Sequence, residues 1–368
     1  MHGRIWLAGL AVVTVGVMMS TRAAVVPGAN AGQPAASAGA TEQRGDFTAD
    51  MHPEWKGDDV QPRMQLSLRT PSGRDHWGFG VPLAELQGLP PAARDGVAAN
   101  VRFALPREAG RFSFSGSFDG GRGAGQFTFA PSGGYVAAMA QLGYRDLPSA
   151  QVMRHALLDV TTTFVRDLRD AGQTALALDD LTRLKIHGVS GAVVRDLASL
   201  GYRQLDADTL VRMRIHGASP EAIRGYQRAG LSNLAPDVLV RLRIHGVTPQ
   251  FIDGLKTRKY TGLDADDLTR MRIHGVTLDE IDALAEVGMR GLDADALVQF
   301  RIHKVRPEFI REMRALGFTS ADQDDFVRMR IHDVSAQFVR DARASGQTIA
   351  SPDDAVDLAI HGRRWRRR

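Results

Sequence analysis

Seven histidines stand at one fixed interval: His187, His216, His245, His274, His303, His332 and His361. Imidazole ligates metals and titrates near neutral pH, so such a file suggests either a metal array or a proton relay. Distance opposes a shared metal. Zinc holds nitrogen at about 2.0–2.1 Å, whereas packed helices stand about 8–10 Å apart, so histidines of neighbouring copies cannot meet at one ion. A unit carries no second histidine, and the chain has no cysteine. Neither metal nor cofactor is therefore expected. The stronger reading of the file is structural. A pH-responsive role stays open, since protonating the row beside arginines would add repulsion along its length.

The histidines have companions. An aspartate stands two helical turns before each one, and an arginine lies between them in most copies, giving Asp208-Arg212-His216, Asp237-Arg241-His245 and Asp266-Arg270-His274. Spacing of i, i+4, i+8 makes one ridge on a helix. The expectation is that each Asp sits at the positive helix start and pairs with the Arg one turn on. A second basic row, Lys185, Arg214, Arg243, Arg272, Arg301 and Arg330, stands just before each Ile-His. It lies on a different flank, with no acid one turn before it. It either pairs with acids of neighbouring second helices, with Asp196, Asp253, Glu312 and Asp341 available, or forms a strip for an acidic partner.

These side chains must be carried by a repeated element, because self-similarity at a 29-residue period marks stacked supersecondary units. One unit runs from Leu205 to Asn233. Its first helix is expected from an N-cap at Asp206 to a stop at Gly217, with Leu210, Val211, Met213 and Ile215 forming the buried side. Ser219 then caps a second helix with Pro220 at its first position. That helix closes at Gly230, with counterparts at Gly143, Gly172, Gly201, Gly288, Gly317 and Gly346. Lys259, Lys304 and Asp333 replace expected glycines, so those turns should be the weaker ones. Two short helices cannot bury their apolar stripes alone, so neighbouring copies must cover them. The fold class is mainly α: an α-solenoid of about eight helix-turn-helix repeats over 131–362, preceded by a small antiparallel β module over 59–130.

In the β module the apolar period changes to two, at Met64–Arg69, Val101–Leu105, Phe112–Phe118 and Phe127–Phe129. Alternation bounded by glycine-rich segments signals half-buried strands. Phe112, Phe114, Phe118, Phe127 and Phe129 should line one apolar face, with a bulge or wide turn absorbing the register. The run Asp119–Gly125 lacks the Lys-Ser/Thr of a phosphate loop and reads as a hairpin turn. His76-Trp77 reads as the polar edge of a core.

Residues 1–31 follow the order of a secretory signal: Arg4, an apolar run Ile5–Met19, then small residues with Ala29-Asn30-Ala31 as a cleavage site. The run is short of the roughly 20 residues that span a bilayer, yet an uncleaved inner-membrane anchor remains the alternative. Either way the body is expected to be exported, to the periplasm or tethered outside the cytoplasm. Residues 32–58, rich in Gly, Ala, Pro and Ser and then polar, read as a flexible linker. The tail Arg363–Arg368 is basic and suits weak contact with an anionic membrane. The formal charge is only +4, with Arg and Asp interspersed, so no nucleic-acid partner is expected.

RIHGVTPQFI (243–252), RIHKVRPEFIREMRALGF (301–318) and FSFSGSFDGGRGAGQFTFAP (112–131) resemble a repeat region of bacterial envelope proteins. In some of them the region follows a zinc metallopeptidase domain of the beta-lactam-sensor type. The resemblance covers residues 60–362 and implies a helical-repeat protein. Peptidase activity does not carry over, because the chain has no H-E-x-x-H. The expectation is a non-enzymatic envelope protein that binds another protein along its repeats. The alternative is a sensory or regulatory subunit beside a membrane peptidase or receptor, with ligand contacts in the β module; an undetected enzyme comes third.

Overall fold

A computed structural model describes residues 42–52, 62–71 and 76–362. The signal or anchor expected over 1–31 and the basic tail 363–368 lie outside the described residues. No helix among those described is long and apolar enough to cross a membrane. An antiparallel sheet is followed by helical repeats. By its contacts the chain forms two compact units: the sheet and helices up to Arg195 with Arg203–Val211, and Asp196–Tyr202 with the described residues from Arg212 onward. The division falls inside the repeats. The sheet shares a body with the first helical units, and the helix Ser149–Leu157 packs on its last two strands.

The strands are β1 (Gln43–His52), β2 (Arg63–Arg69), β3 (His76–Pro82), β4 (Ala99–Arg107), β5 (Gly110–Asp119) and β6 (Arg122–Pro131), in the order β3-β2-β1-β6-β5-β4. β1 corrects the expectation of a linker over 32–58. Phe47 and Ala49 are buried beside exposed Asp46 and Thr48, a half-buried strand's alternation, and β1 pairs with both β2 and β6. Its Gly, Asp and Thr give it the composition of a linker; pairing on both sides overrides that weak preference. His76 and Trp77 open the outer strand β3, with His76 exposed.

The five phenylalanines of β5 and β6 share one face, each at most 2% exposed. No bulge absorbs the register, contrary to expectation. β5 and β6 pair without a break from Gly110↔Pro131 to Asp119↔Arg122. The turn is only Gly120-Gly121, with φ of +55° and +80°, a two-residue hairpin that demands left-handed backbone at both positions. Gly123 and Gly125 lie within β6.

The sheet curls around its aromatic face. Phe47 on β1 meets Phe103 on β4 edge-to-face at 5.9 Å, although β6 and β5 lie between them in strand order. Gly45 lets β1 pass close to the end of β2 and to the Phe127 ring, since a Cβ there would collide with the Arg69 carbonyl oxygen. Gln87 exchanges two backbone hydrogen bonds of 2.8 Å with Ala104 and covers part of the outer edge of β4. A covered edge is protected from pairing with another chain.

First helices among the described residues recur at the interval of the histidines: Ser149–Leu157, Leu178–Ile186, Ala207–Ile215, Pro236–Ile244, Ala265–Ile273, Ala294–Ile302, Gln323–Ile331 and Pro352–His361. Second helices keep the same interval: Gly133–Gln141, Thr162–Asp170, Gly191–Ser199, Pro220–Arg228, Pro249–Thr257, Leu278–Glu286, Pro307–Ala315 and Ala336–Ala344. First helices pack on first helices, as Ala265–Ile273 does on Pro236–Ile244 and on Ala294–Ile302, and second helices on second helices. Side-chain caps start most of them: Asp264 accepts from the Asp267 amide at 2.8 Å, and Thr248 from the Phe251 amide at 3.1 Å. Each such cap contributes about 1 kcal/mol.

The turn after a first helix has one recurring geometry. His245 is the C-cap, Gly246 takes φ +68°, and the amides of Gly246 and Val247 return to the carbonyls of Arg243 and Leu242. Apolar contact between the ends seals such a closure; Val247 and Leu242 are both fully buried. Lys304 and Asp333 adopt the same left-handed backbone, at φ +57° and +58°, and so does Lys259 after a second helix, at +69°. A side chain there costs about 1 kcal/mol that glycine does not.

Candidate interaction face

The repeated polar residues occupy the outer face of the first helices, but they are joined differently from the ridge expected along one helix. Asp208 and Arg212 do not form the expected pair. Each ladder arginine instead reaches the aspartate at the start of the next first helix: Arg183 to Asp208, Arg212 to Asp237 at 2.5 Å, Arg241 to Asp266, Arg270 to Asp295 at 2.6 Å and Arg328 to Asp353 at 2.7 Å. Side-by-side packing brings the positive start of one helix, with its Asp, within reach of a neighbour's long guanidinium. Gln299 interrupts the series, its Oε1 lying 3.1 Å from His303 Nε2. The paired groups are substantially exposed, so each pair contributes at most about 1 kcal/mol. Their effect is on register between units more than on stability.

The second basic row runs into the seams between units. Arg301 donates from Nε to the His274 carbonyl at 3.1 Å and from Nη1 to Glu280 at 3.2 Å. Arg330 donates to the His303 carbonyl at 3.4 Å and lies 5.2 Å over the Phe309 ring. Arg272 stacks 5.0 Å over Phe251 and donates to the Val276 carbonyl at 3.3 Å. Lys185 lies 3.7 Å from Asp159 and 5.2 Å over Phe164. Arg243 packs beside Gly217, where a Cβ would come within 3.3 Å of its Nη2. Arg214 is exposed and has an interaction of its own. Arg301 meets the expectation of an acid on a neighbouring second helix, through Glu280 and not one of Asp196, Asp253, Glu312 and Asp341; carbonyls, rings and Asp159 receive other members of the row. A half-buried guanidinium needs both a flat surface to stack on and acceptors in its plane; for Arg330 the preceding unit supplies both, and for Arg272 it supplies the ring while its own turn supplies the carbonyl.

Ile215, expected on the buried side, is half exposed, as are Ile244, Ile273, Ile302, Ile331 and Ile360, all between 44% and 56%. The reason is angular. At about 100° per residue, Ile215 falls about 40° beyond Val211, on the side of Asp208 and Arg212. All six side chains belong to the compact unit that includes Arg212 and the residues after it. Beside each stands a histidine that is itself at least partly exposed. A helical-wheel count over each first helix is the signal that finds this row.

The second helices GAVVRDLAS, PEAIRGYQR, PQFIDGLKT and LDEIDALAE share an apolar stripe and little else. The first helices diverge too, and the last, PDDAVDLAIH, has lost both arginines. It still keeps Ile360 and His361. Packing accounts for a buried Leu and for glycine at the turn, but it requires neither an exposed isoleucine nor an imidazole at the C-cap.

A buried cluster that no spacing announces lies where the repeats begin. His155 occupies the position at which later units bury Leu184, Met213, Leu242 and Met271, and it is itself fully buried. Tyr135 donates its hydroxyl hydrogen to the Val160 carbonyl at 3.0 Å, and His155 Nδ1 lies 2.8 Å from the same hydroxyl oxygen. With that hydrogen engaged, Nδ1 donates to Tyr135, and Nε2 accepts from Gln151, 3.3 Å away. Burial first, then Arg154, pushes the His155 pKa down to about 4, with Asp179 opposing. In the same compact unit Glu108 receives the Thr162 amide at 3.0 Å and its hydroxyl at 2.5 Å.

Compared with family models and with curated proteins, the chain matches none.

Proposed function

We propose that this chain is a non-enzymatic interaction protein of the bacterial cell envelope, docking a partner protein on the outer face of its first helices. The observation that carries this reading is the file of six half-exposed isoleucines, each next to a histidine, retained even in the last first helix, which has lost both arginines. Single exposed apolar residues are ordinary on protein surfaces, whereas contiguous apolar surface rimmed by polar groups marks association. The Arg–Asp ladder beside the row neutralises its own charges, so the face offers apolar contact and shape more than long-range attraction. The N-terminal order of charge, apolar run and small residues supports export.

Photo-crosslinking in cells tests the reading, with the reactive residue placed at Ile244, Ile273 or Ile302 and, for comparison, at exposed Arg224 and Arg311 on second helices. A discrete protein adduct is expected from the isoleucine positions only, and it should vanish when the remaining two isoleucines become aspartate. No adduct, or equal adducts from both sets of positions, would overturn the proposal.

A further inference from the structure

The outer face of the sheet carries a site unrelated to the helices. An open groove of about 870 Å³ crosses β1, β6, β5 and β4. Its floor follows two cross-strand rows, Arg44–Thr128–Ser113–Ala104 and Asp46–Gln126–Ser115–Arg102. Cations stand at both ends: Arg44 on β1, and Arg102 and Arg111 at the far side, where Arg111 donates to Gln87 at 3.1 Å. Among the described residues Arg102 carries no ion pair, and Ser113, Ser115, Gln126 and Thr128 make no side-chain hydrogen bond. Arg44 lies 3.5 Å from Glu42, and Asp46 is the one acid among the described residues that line the groove.

Strand propensity does not ask for this floor. Mid-sheet positions favour Val, Ile, Thr and aromatic residues, and serine stabilises a strand little. The inward positions of β5 are Phe112, Phe114 and Phe118, whereas its outward ones are Ser113, Ser115 and Ser117. Small hydroxyls between large arginines are what hollow the face into a groove. Across the strands Arg102 stands three intervals from Arg44, roughly 14 Å at about 4.8 Å each, and Arg111, on β5, stands two.

We infer that this groove binds an acidic oligosaccharide, with carboxylates held by the arginines at its ends and sugar hydroxyls exchanging hydrogen bonds with the Ser, Thr and Gln floor. Arginine matches carboxylate oxygens with a fork of donors. The other extended anions fit less well. A single-stranded nucleic acid needs exposed rings on which bases stack, and the lining phenylalanines point inward. A peptide adding to a sheet needs a free strand edge, and the groove lies on the face. Without stacking, affinity rests on charge and hydrogen bonds and must fall with salt.

Isothermal titration of the whole chain with tetragalacturonate tests this, against a neutral maltotetraose and a short polyphosphate. Binding of the uronate alone is expected, weakened at least tenfold by R102A/R111A and by S113V/S115V, the second of which favours the strand and leaves the cations in place. Circular dichroism checks that both variants fold. The inference fails if the uronate gives no heat at low salt, if polyphosphate binds as tightly, or if either folded variant binds unchanged.

Discussion

First and second helices of the array share near-equal length and one interval, and each kind packs on its own kind, yet they obey different rules. Second helices keep a stripe and change everything else: Tyr226, Leu255, Leu284 and Met313 are all buried in equivalent service. From Ala207–Ile215 onward, first helices keep the stripe and also retain an exposed Ile beside a His. Where only packing acts, any apolar residue of suitable volume is accepted. Exposed Asp is held constant by its ladder arginine, whereas packing gives no comparable reason for an exposed Ile.

The largest effect that would sharpen this contrast is in the second-helix core. Leu255→Ala should cost about 2–5 kcal/mol, read by denaturant titration, whereas Ile273→Ser on the first-helix face should stay within about 0.5 kcal/mol. A large loss from Ile273→Ser would break the distinction.

The next effect concerns His155, the imidazole among the polar side chains buried in first helices. Its folded pKa of about 4 lies below the ordinary 6.5, so the unfolded chain takes the proton more readily. Stability should be complete above pH 6.5, fall as pH drops towards 4, and then level off. The window is worth about 3 kcal/mol. His155→Leu should flatten that slope; an unchanged slope would assign the acid sensitivity elsewhere.

Smaller again are the turns. At Gly275 φ is +75° and a Cβ would sit 3.0 Å from Arg301 Nη2, so Gly275→Ala should lose about 1–2 kcal/mol. Lys304→Gly should gain up to about 1 kcal/mol at the equivalent place. Thermal melts of both variants decide whether the turn geometry or the residue type governs. Last comes the ladder: Asp266→Asn should shift stability by at most about 0.5 kcal/mol, and less at high salt.

The repeat is legible because a strict period leaves little freedom: Asp264, Thr248 and Gly246 take the cap and turn positions that their types announce. Ile215 is misplaced when apolar type is taken for burial without counting its angle on the wheel. The Asp–Arg pairing goes astray for a different reason. Spacing along one helix cannot reveal which neighbour a long side chain will reach. β1 is hidden because its strand character comes from β2 and β6, to which it pairs only in the folded sheet. The groove is illegible for the same cause, since its rows join four strands that only the sheet order brings together.

Several arginines reach backwards across the seams. Arg301 closes the carbonyl of His274, Arg330 that of His303, and Arg343 that of Leu316 at 2.7 Å. A helix end is therefore completed by a residue that the ribosome adds later. At about 5–20 residues per second, a unit leaving the exit tunnel waits on the order of 1–5 seconds for the cation that finishes it. The growing array thus always carries one unfinished end, and folding trails synthesis by one unit.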